Sequence, residues 1–395
     1  MVFQSAVTDG AIAAEDRKQA RDALLPTAVY NNQYLYTQGN GAGGVRYIAN
    51  NAVHEYISQG NVHETIDLTG VANYRRATAA AAVARARAEI ASRGLVVTVV
   101  HGYFRVAAAQ SKLEISQRGA SEGEQFFKLT GQLEKGGEVA HSDVIRSELQ
   151  LQDRRRQQQE AQLELLNAKL DLAVLIFPDF NDNFQISDDL HTSVPLPTFE
   201  EVQQQGARDN PDLRAALAGV QEAGHSVMYA RAGYLPSLVL DYFYGIDAAQ
   251  FSANSVVDRR TLDNLGSSAS ATLNIPIWNW GSTQSKVKQA ELRRTQAQRE
   301  LSLAQRKLLA EMRSLYAEAE TALNELAGLQ RSAELASESL RLATLRYKGG
   351  EATVLEVVDA QNSFAQANTS YQDGAVRYRV ALANLQTLTG VLTTP

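Results

Sequence analysis

The sequence predicts a mainly α-helical protein with a small β part, organised as tandem-duplicated long α-helical hairpins, each preceded by a pair of strands. Three observations predict it. Proline is absent between Pro26 and Pro178 and again between Pro276 and Pro395, while Pro178, Pro195, Pro197 and Pro211 crowd the middle. Two long stretches can therefore stay helical around an irregular connector. Each stretch is interrupted by a glycine pair, Gly136-Gly137 and Gly349-Gly350, the residue type that a tight reversal between helices needs. Lys135-Gly136-Gly137-Glu138 recurs as Lys348-Gly349-Gly350-Glu351, and the same offset pairs Tyr103 with Tyr316, Leu129 with Leu342, Asp143 with Glu356 and Val144 with Val357.

The first repeat is read as residues 1–198 and opens with a helix that is truncated at its N-terminus relative to the second copy. A strand at about 25–38 carries Ala28, Tyr30, Asn32, Tyr34 and Tyr36 on one face, and the glycine run Gly39 to Gly44 follows as a loop. The return strand lies at about 60–69, the hairpin tip near 134–142 and the connector at 178–198. The second repeat, 199–395, has helices over 199–232, strands at about 236–248 and 266–278, and a tip near 347–353. Its last helix steps by alternating four and three residues through Val357, Gln361, Phe364, Asn368, Tyr371, Ala375, Tyr378, Leu382 and Leu385, a coiled-coil seam.

Composition excludes several classes. The 395 residues carry a formal charge of -6 with basic residues interleaved among acids, which gives no footprint for nucleic acid. Cysteine is absent, so there are no disulfides, thiolate metal sites or acylated N-terminal cysteine. The start, with Asp9, Glu15 and Asp16, has no secretory signal, although an exported protein is expected to begin with one. No run approaches the length of a membrane-spanning helix, the best being Leu95 to Val100. Short alternating strands can still form a membrane barrel. The histidines show neither the spacing nor the glutamate of a zinc helix, and Gly39 to Gly44 lacks the ending of a phosphate loop. With no nucleophile, base and orienter in view, the expectation is no catalytic residue, no metal, no cofactor and no enzyme.

The run Arg346-Tyr347-Lys348-Gly349-Gly350-Glu351, followed by Val354-Leu355-Glu356-Val357-Val358-Asp359-Ala360-Gln361, resembles the tip signature of TolC-like outer-membrane efflux proteins, the outer membrane factors. Four strands cannot close a membrane barrel, and open edges are not left in lipid. The resemblance implies a homotrimer whose chains complete a 12-stranded transmembrane β-barrel, continued by a coiled-coil α-barrel as a periplasmic tunnel. It implies a porin-like passive export channel in a Gram-negative outer membrane, serving tripartite efflux or type I secretion. Partners would be outer-membrane lipid, a periplasmic adaptor (membrane fusion protein) and an inner-membrane pump of RND, ABC or MFS type. That separate pump selects metal ions, drugs or proteins. The alternative is a periplasmic coiled-coil adaptor or structural protein without a pore, which explains the hairpins but not the strand pairs.

For individual residues, the resemblance gives Glu356 and Asp359 to the pore lumen, against the plainer reading of a solvated acidic face. The matching first-copy positions are Asp143 and Arg146, and Tyr347 is a further gate candidate. Where some family members place a tip arginine, this chain has Ala352. Adaptor docking would use the tip turns Gly136, Gly137, Gly349 and Gly350 with Val354 and Leu355. Trp278 and Trp280 at the strand exit fit either a membrane interface or a packed junction.

Overall fold

The computed structural model describes residues 2–36, 54–177, 183–187, 190, 194–257 and 260–390. In chain order the elements are α1 (Val2–Asp22), β1 (Thr27–Tyr36), β2 (His54–Ile66), α2 (Leu68–Lys135), α3 (His141–Ile176), α4 (Phe199–Asp209), α5 (Pro211–Ala232), β3 (Ser237–Ala248), β4 (Asn254–Val257), β5 (Arg260–Asp263), β6 (Leu265–Asn274), α6 (Ser282–Lys348) and α7 (Val354–Thr389). Helix dominates and strands are few, as expected. The chain divides into two compact units, Met1–Ala88 with Pro211–Ala304, and Glu89–Asn210 with Gln305–Pro395, so each unit draws on both halves of the sequence.

The first unit holds an antiparallel sheet in the order β1-β2-β3-β6. Register sets its two faces, because side chains alternate along a strand and paired residues share a side. Tyr34 opposite Tyr56, Val62 opposite Tyr242 and Leu238 opposite Leu273 make one face apolar and aromatic. On the other face His63 lies opposite Asp241 and Asp241 opposite Ser270, with the His63 and Asp241 side chains 2.8 Å apart. Tyr30, Tyr34, Tyr36, Tyr242 and Tyr244 of the aromatic face are all exposed. The sheet ends at β1 and β6 without closing on itself. In the same unit most of the buried apolar residues of the helices are small, among them Ala20, Ala72, Ala79, Ala218, Ala232 and Ala290.

Strand limits differ from those read in the sequence. β2 begins at His54 rather than near 60, and β6 stops at Asn274 rather than 278, because Pro276 has no N–H to continue a ladder. Between β3 and β6, strands β4 and β5 pair antiparallel, with Asn254 opposite Asp263 and Val257 opposite Arg260. The glycine run 39–44 lies outside the described residues.

The second unit packs α3, α4, α7 and the later parts of α2 and α6. α7 buries both ends of the predicted seam, with Val357, Ala375, Tyr378, Leu382 and Leu385 at 4% exposure or less, while Phe364, Asn368 and Tyr371 in its middle are half-buried. Connector residues lie over the hairpins: Phe184 and Ile186 pack on Val106, Ala109, Ala168 and Leu172, and Val194 and Leu196 on Ala322, Tyr378 and Leu382. α4 starts with a capping box between Thr198 and Glu201 and passes close to α6 at Gly206, where a Cβ would stand 2.6 Å from Met312 Sδ. No helix among the described residues is long and apolar enough to cross a membrane.

Candidate functional site

Both hairpin tips lie in the second unit, and their backbones turn in the same way. At the first, Gly137 adopts φ 77°, its N–H donates to Glu134 O at 2.8 Å and the Glu138 N–H donates to Leu133 O at 2.9 Å. At the second, Gly350 adopts φ 72°, with the Gly350 N–H to Tyr347 O at 3.1 Å and the Glu351 N–H to Arg346 O at 2.9 Å. This paired pattern is a Schellman close, and it places one residue in the left-handed region where a Cβ is penalised. The second glycine of each pair meets that need.

The restarts differ. α3 begins after Ala140, which supplies no side-chain cap. α7 begins after Thr353, whose Oγ1 accepts from the Glu356 N–H at 3.4 Å, while Glu356 Oε1 accepts from the Thr353 N–H at 3.2 Å. The other carboxylate oxygen, Oε2, accepts from Arg346 Nη1 at 3.2 Å, and Arg346 Nη2 donates to Glu351 O at 3.0 Å. Both oxygens of Glu356 are thus engaged by its own tip. Asp359, the next acid on that side, is exposed and has no ion-pair partner among the described residues.

The two tips share one apolar cluster. Phe126 of α2 stands against Tyr347 of α6 with ring centroids 5.1 Å apart, and Val354 and Val357 of α7 complete the buried set. Val139 from the first tip and Ala352 from the second pack on it. Tyr347, 4% exposed, is therefore an anchor of this cluster. Burial holds its hydroxyl pKa above the usual tyrosine value, and the Asp143 carboxylate pushes the same way, against the Thr130 hydroxyl. Thr130 gives its own proton to Phe126 O, and Tyr347 Oη has no hydrogen-bond partner among the described residues.

Other sequence-selected residues divide by exposure. Val354 is only 2% exposed, so it cannot be a docking residue as the sequence suggested: it is core, and Leu355, 55% exposed, is the apolar side chain available there. Asp143 is half-buried and Arg146 exposed. Glu134, the counterpart of Tyr347, meets His141 Nδ1 at 2.6 Å. In the first unit, Trp278 and Trp280 are 75% and 89% exposed and pair edge to face at 5.8 Å. Trp280 and Gly281 are both left-handed, at φ 56° and 79°, and turn the chain into α6. Arg346 joins the site through Glu356, ten residues away in the sequence, a contact that only the turn creates.

Residues 202–391, just under half of the chain, match the family model described as Outer membrane efflux protein. Outer membrane protein TolC of Vibrio cholerae is 24% identical over 313 residues, 76% of this chain and 68% of that protein. The crystal structure of the Campylobacter jejuni CmeC outer membrane channel superposes with a TM-score of 0.79, covering 98% of this chain and 82% of that one at 17% identity. Over residues 202–391 the chain is thus similar to the outer-membrane efflux proteins. Outer membrane protein OprJ of Pseudomonas aeruginosa is a further relative, 24% identical across 75% of this chain and 61% of its own length.

Proposed function

We propose that this protein is the passive outer-membrane conduit of a tripartite efflux or type I secretion system, working as a homotrimer. One observation carries the reading. A four-stranded sheet with an exposed aromatic face ends in two unpaired edges, in a chain with no membrane-spanning helix among its described residues. Unpaired backbone edges are not tolerated in lipid, so β1 and β6 must meet strands of other copies, and three copies supply about twelve strands. Trp278 and Trp280 then sit at the headgroup level.

The tips form the periplasmic end, where a periplasmic adaptor carrying the pump's demand docks on the glycine turns and Leu355. We read 1–198 and 199–395 as copies of one duplicated unit, supported by the two matching tip turns. Asp359 is the principal acid of the entrance and Glu356 the lesser one, because Arg346 offsets the charge of Glu356. Three convergent carboxylates attract polyvalent cations.

The experiment is detergent extraction with mass measurement, followed by single-channel recording. A trimer that conducts, with current blocked by polyvalent cations, is expected. Asp359→Asn should weaken that block several-fold and more than Glu356→Gln does. A monodisperse monomer with full β content would sink the channel reading.

A further inference from the structure

We infer that the outward face of β1 and β2, at the end away from the helices, docks the uncharged sugar headgroup of an outer-leaflet glycolipid; this rests on the channel reading above, which turns that face to lipid. Register and strand geometry set the depth. At ~3.3 Å per residue and a tilt near 40°, each residue climbs roughly 2.5 Å along the membrane normal. An apolar band of about 25 Å that begins at the Leu238–Leu273 row therefore closes about ten residues on. There Tyr34 lies opposite Tyr56 and Tyr56 opposite Ala248. The next row, Tyr36 opposite His54, stands at headgroup depth.

Polar groups appear on the face at this height. Ser58, only 6% exposed, gives its hydroxyl proton to Asn32 Oδ1 at 2.7 Å. Its one proton is then spent, so Tyr30 Oη, also at 2.7 Å, donates to it. Buried Ser58 thereby fixes Asn32, whose Nδ2 protons have no partner among the described residues and whose side chain is exposed. One row up, Tyr34 Oη meets His54 Nδ1 at 2.5 Å, which leaves His54 Nε2 without a partner among the described residues. Hydrogen-bonding capacity is thus held fixed and unspent where acyl chains give way to headgroups.

Rings flank these groups. The Tyr34 and His54 rings stack 5.9 Å apart, Tyr36 lies 5.3 Å from His54, and Phe251, from beyond β3, stands 6.3 Å from Tyr56. Tyr34 and Tyr36 are more than half exposed. A sugar ring offers C–H faces to stack on aromatic rings and hydroxyls to meet amide and imidazole nitrogens, so one patch can satisfy both. Charge decides against a phosphate. None of the described residues on this face from the Asn32–Ser58 row upward is Lys, Arg, Asp or Glu. The patch is also local, because β3 and β6 carry Ile246, Ala248 and Leu265 at these heights.

The test is native mass spectrometry of the full chain in detergent, offered equal amounts of dephosphorylated lipid A, whose headgroup is a glucosamine disaccharide, and phosphatidylethanolamine. Wild type should retain the glycolipid about five-fold or more over the phospholipid, as one stacked ring and one hydrogen bond supply. Asn32→Leu, Tyr34→Leu should bring that ratio close to unity while keeping the face apolar. Tyr242→Leu, nearer the helices on the same face, should leave it unchanged.

Equal retention of the two lipids by wild type, or an undiminished ratio in the double variant, overturns the site and makes the face a general lipid belt. If the double variant does not fold, His54→Leu alone carries the same expectation and the same refutation. Bilayer recording of the same preparation reads the channel separately. Protein that conducts without preferring the glycolipid overturns the site alone, and protein that passes no current overturns the channel reading and the site with it.

Discussion

The two hairpin tips make the same turn and differ in nearly everything attached to it. Gly137 and Gly350 hold the same left-handed backbone with the same two hydrogen bonds. Around that shared close, the second tip has Tyr347, a Thr353–Glu356 capping box and an Arg346–Glu356 ion pair, where the first has Glu134, an uncapped Ala140 and Arg146 in place of Asp359. The difference teaches that a backbone requirement constrains both copies alike, whereas side chains are set by what each tip must contact. Tyr347 and Val354 reach into the shared cluster, and the first copy's equivalents, Glu134 and His141, form a surface pair instead.

Substitutions at matched positions test that contrast. The largest difference is expected between Tyr347→Ala and Glu134→Ala. Removing a buried ring from the tip cluster should cost about 3–4 kcal/mol, while the surface change should stay within about 0.5 kcal/mol. Hydrogen exchange of the tip amides would read both. Equal losses would mean that the cluster does not hold the tips.

Next come Gly137→Val and Gly350→Val, each expected to cost roughly 1–2 kcal/mol for a β-branched residue held left-handed. Thermal unfolding should show similar losses at the two tips, and a large inequality would break the equivalence of the turns. Smaller again, Thr353→Ala should lose about 1 kcal/mol and Ala140→Ser gain a few tenths to about 1 kcal/mol. The last is a pH effect. A tyrosine with a raised folded pKa stabilises below its ordinary value of about 10 and loses that contribution as pH rises through the folded value. The second tip should therefore loosen in alkali, and Tyr347→Phe should remove the dependence.

The long helices and both turns were legible because proline and glycine act locally, through backbone geometry alone. Strand ends were less so. Glu55 and Ser58 interrupt the apolar alternation of β2 although both are buried, and Ile275 and Ile277 prolong the alternation of β6 past the point where Pro276 ends its hydrogen bonding. Val354 was legible in principle. It lies three residues before Val357, so extending the seam back by one step assigns it to the core rather than to a docking face.

Glu356 could be seen as an acid but not as a helix cap tied to Arg346, since that pairing depends on the turn that brings the two together.

The open sheet has a consequence for the chain before it assembles. A lone copy presents two rows of unpaired backbone donors and acceptors along β1 and β6, beside a face of exposed tyrosines. Such edges template pairing with any strand they meet, correct or not. Newly made copies therefore compete between closing on one another and clumping with whatever else is in transit. On the channel reading, those edges are protected only when copies pair with one another faster than they meet other strands.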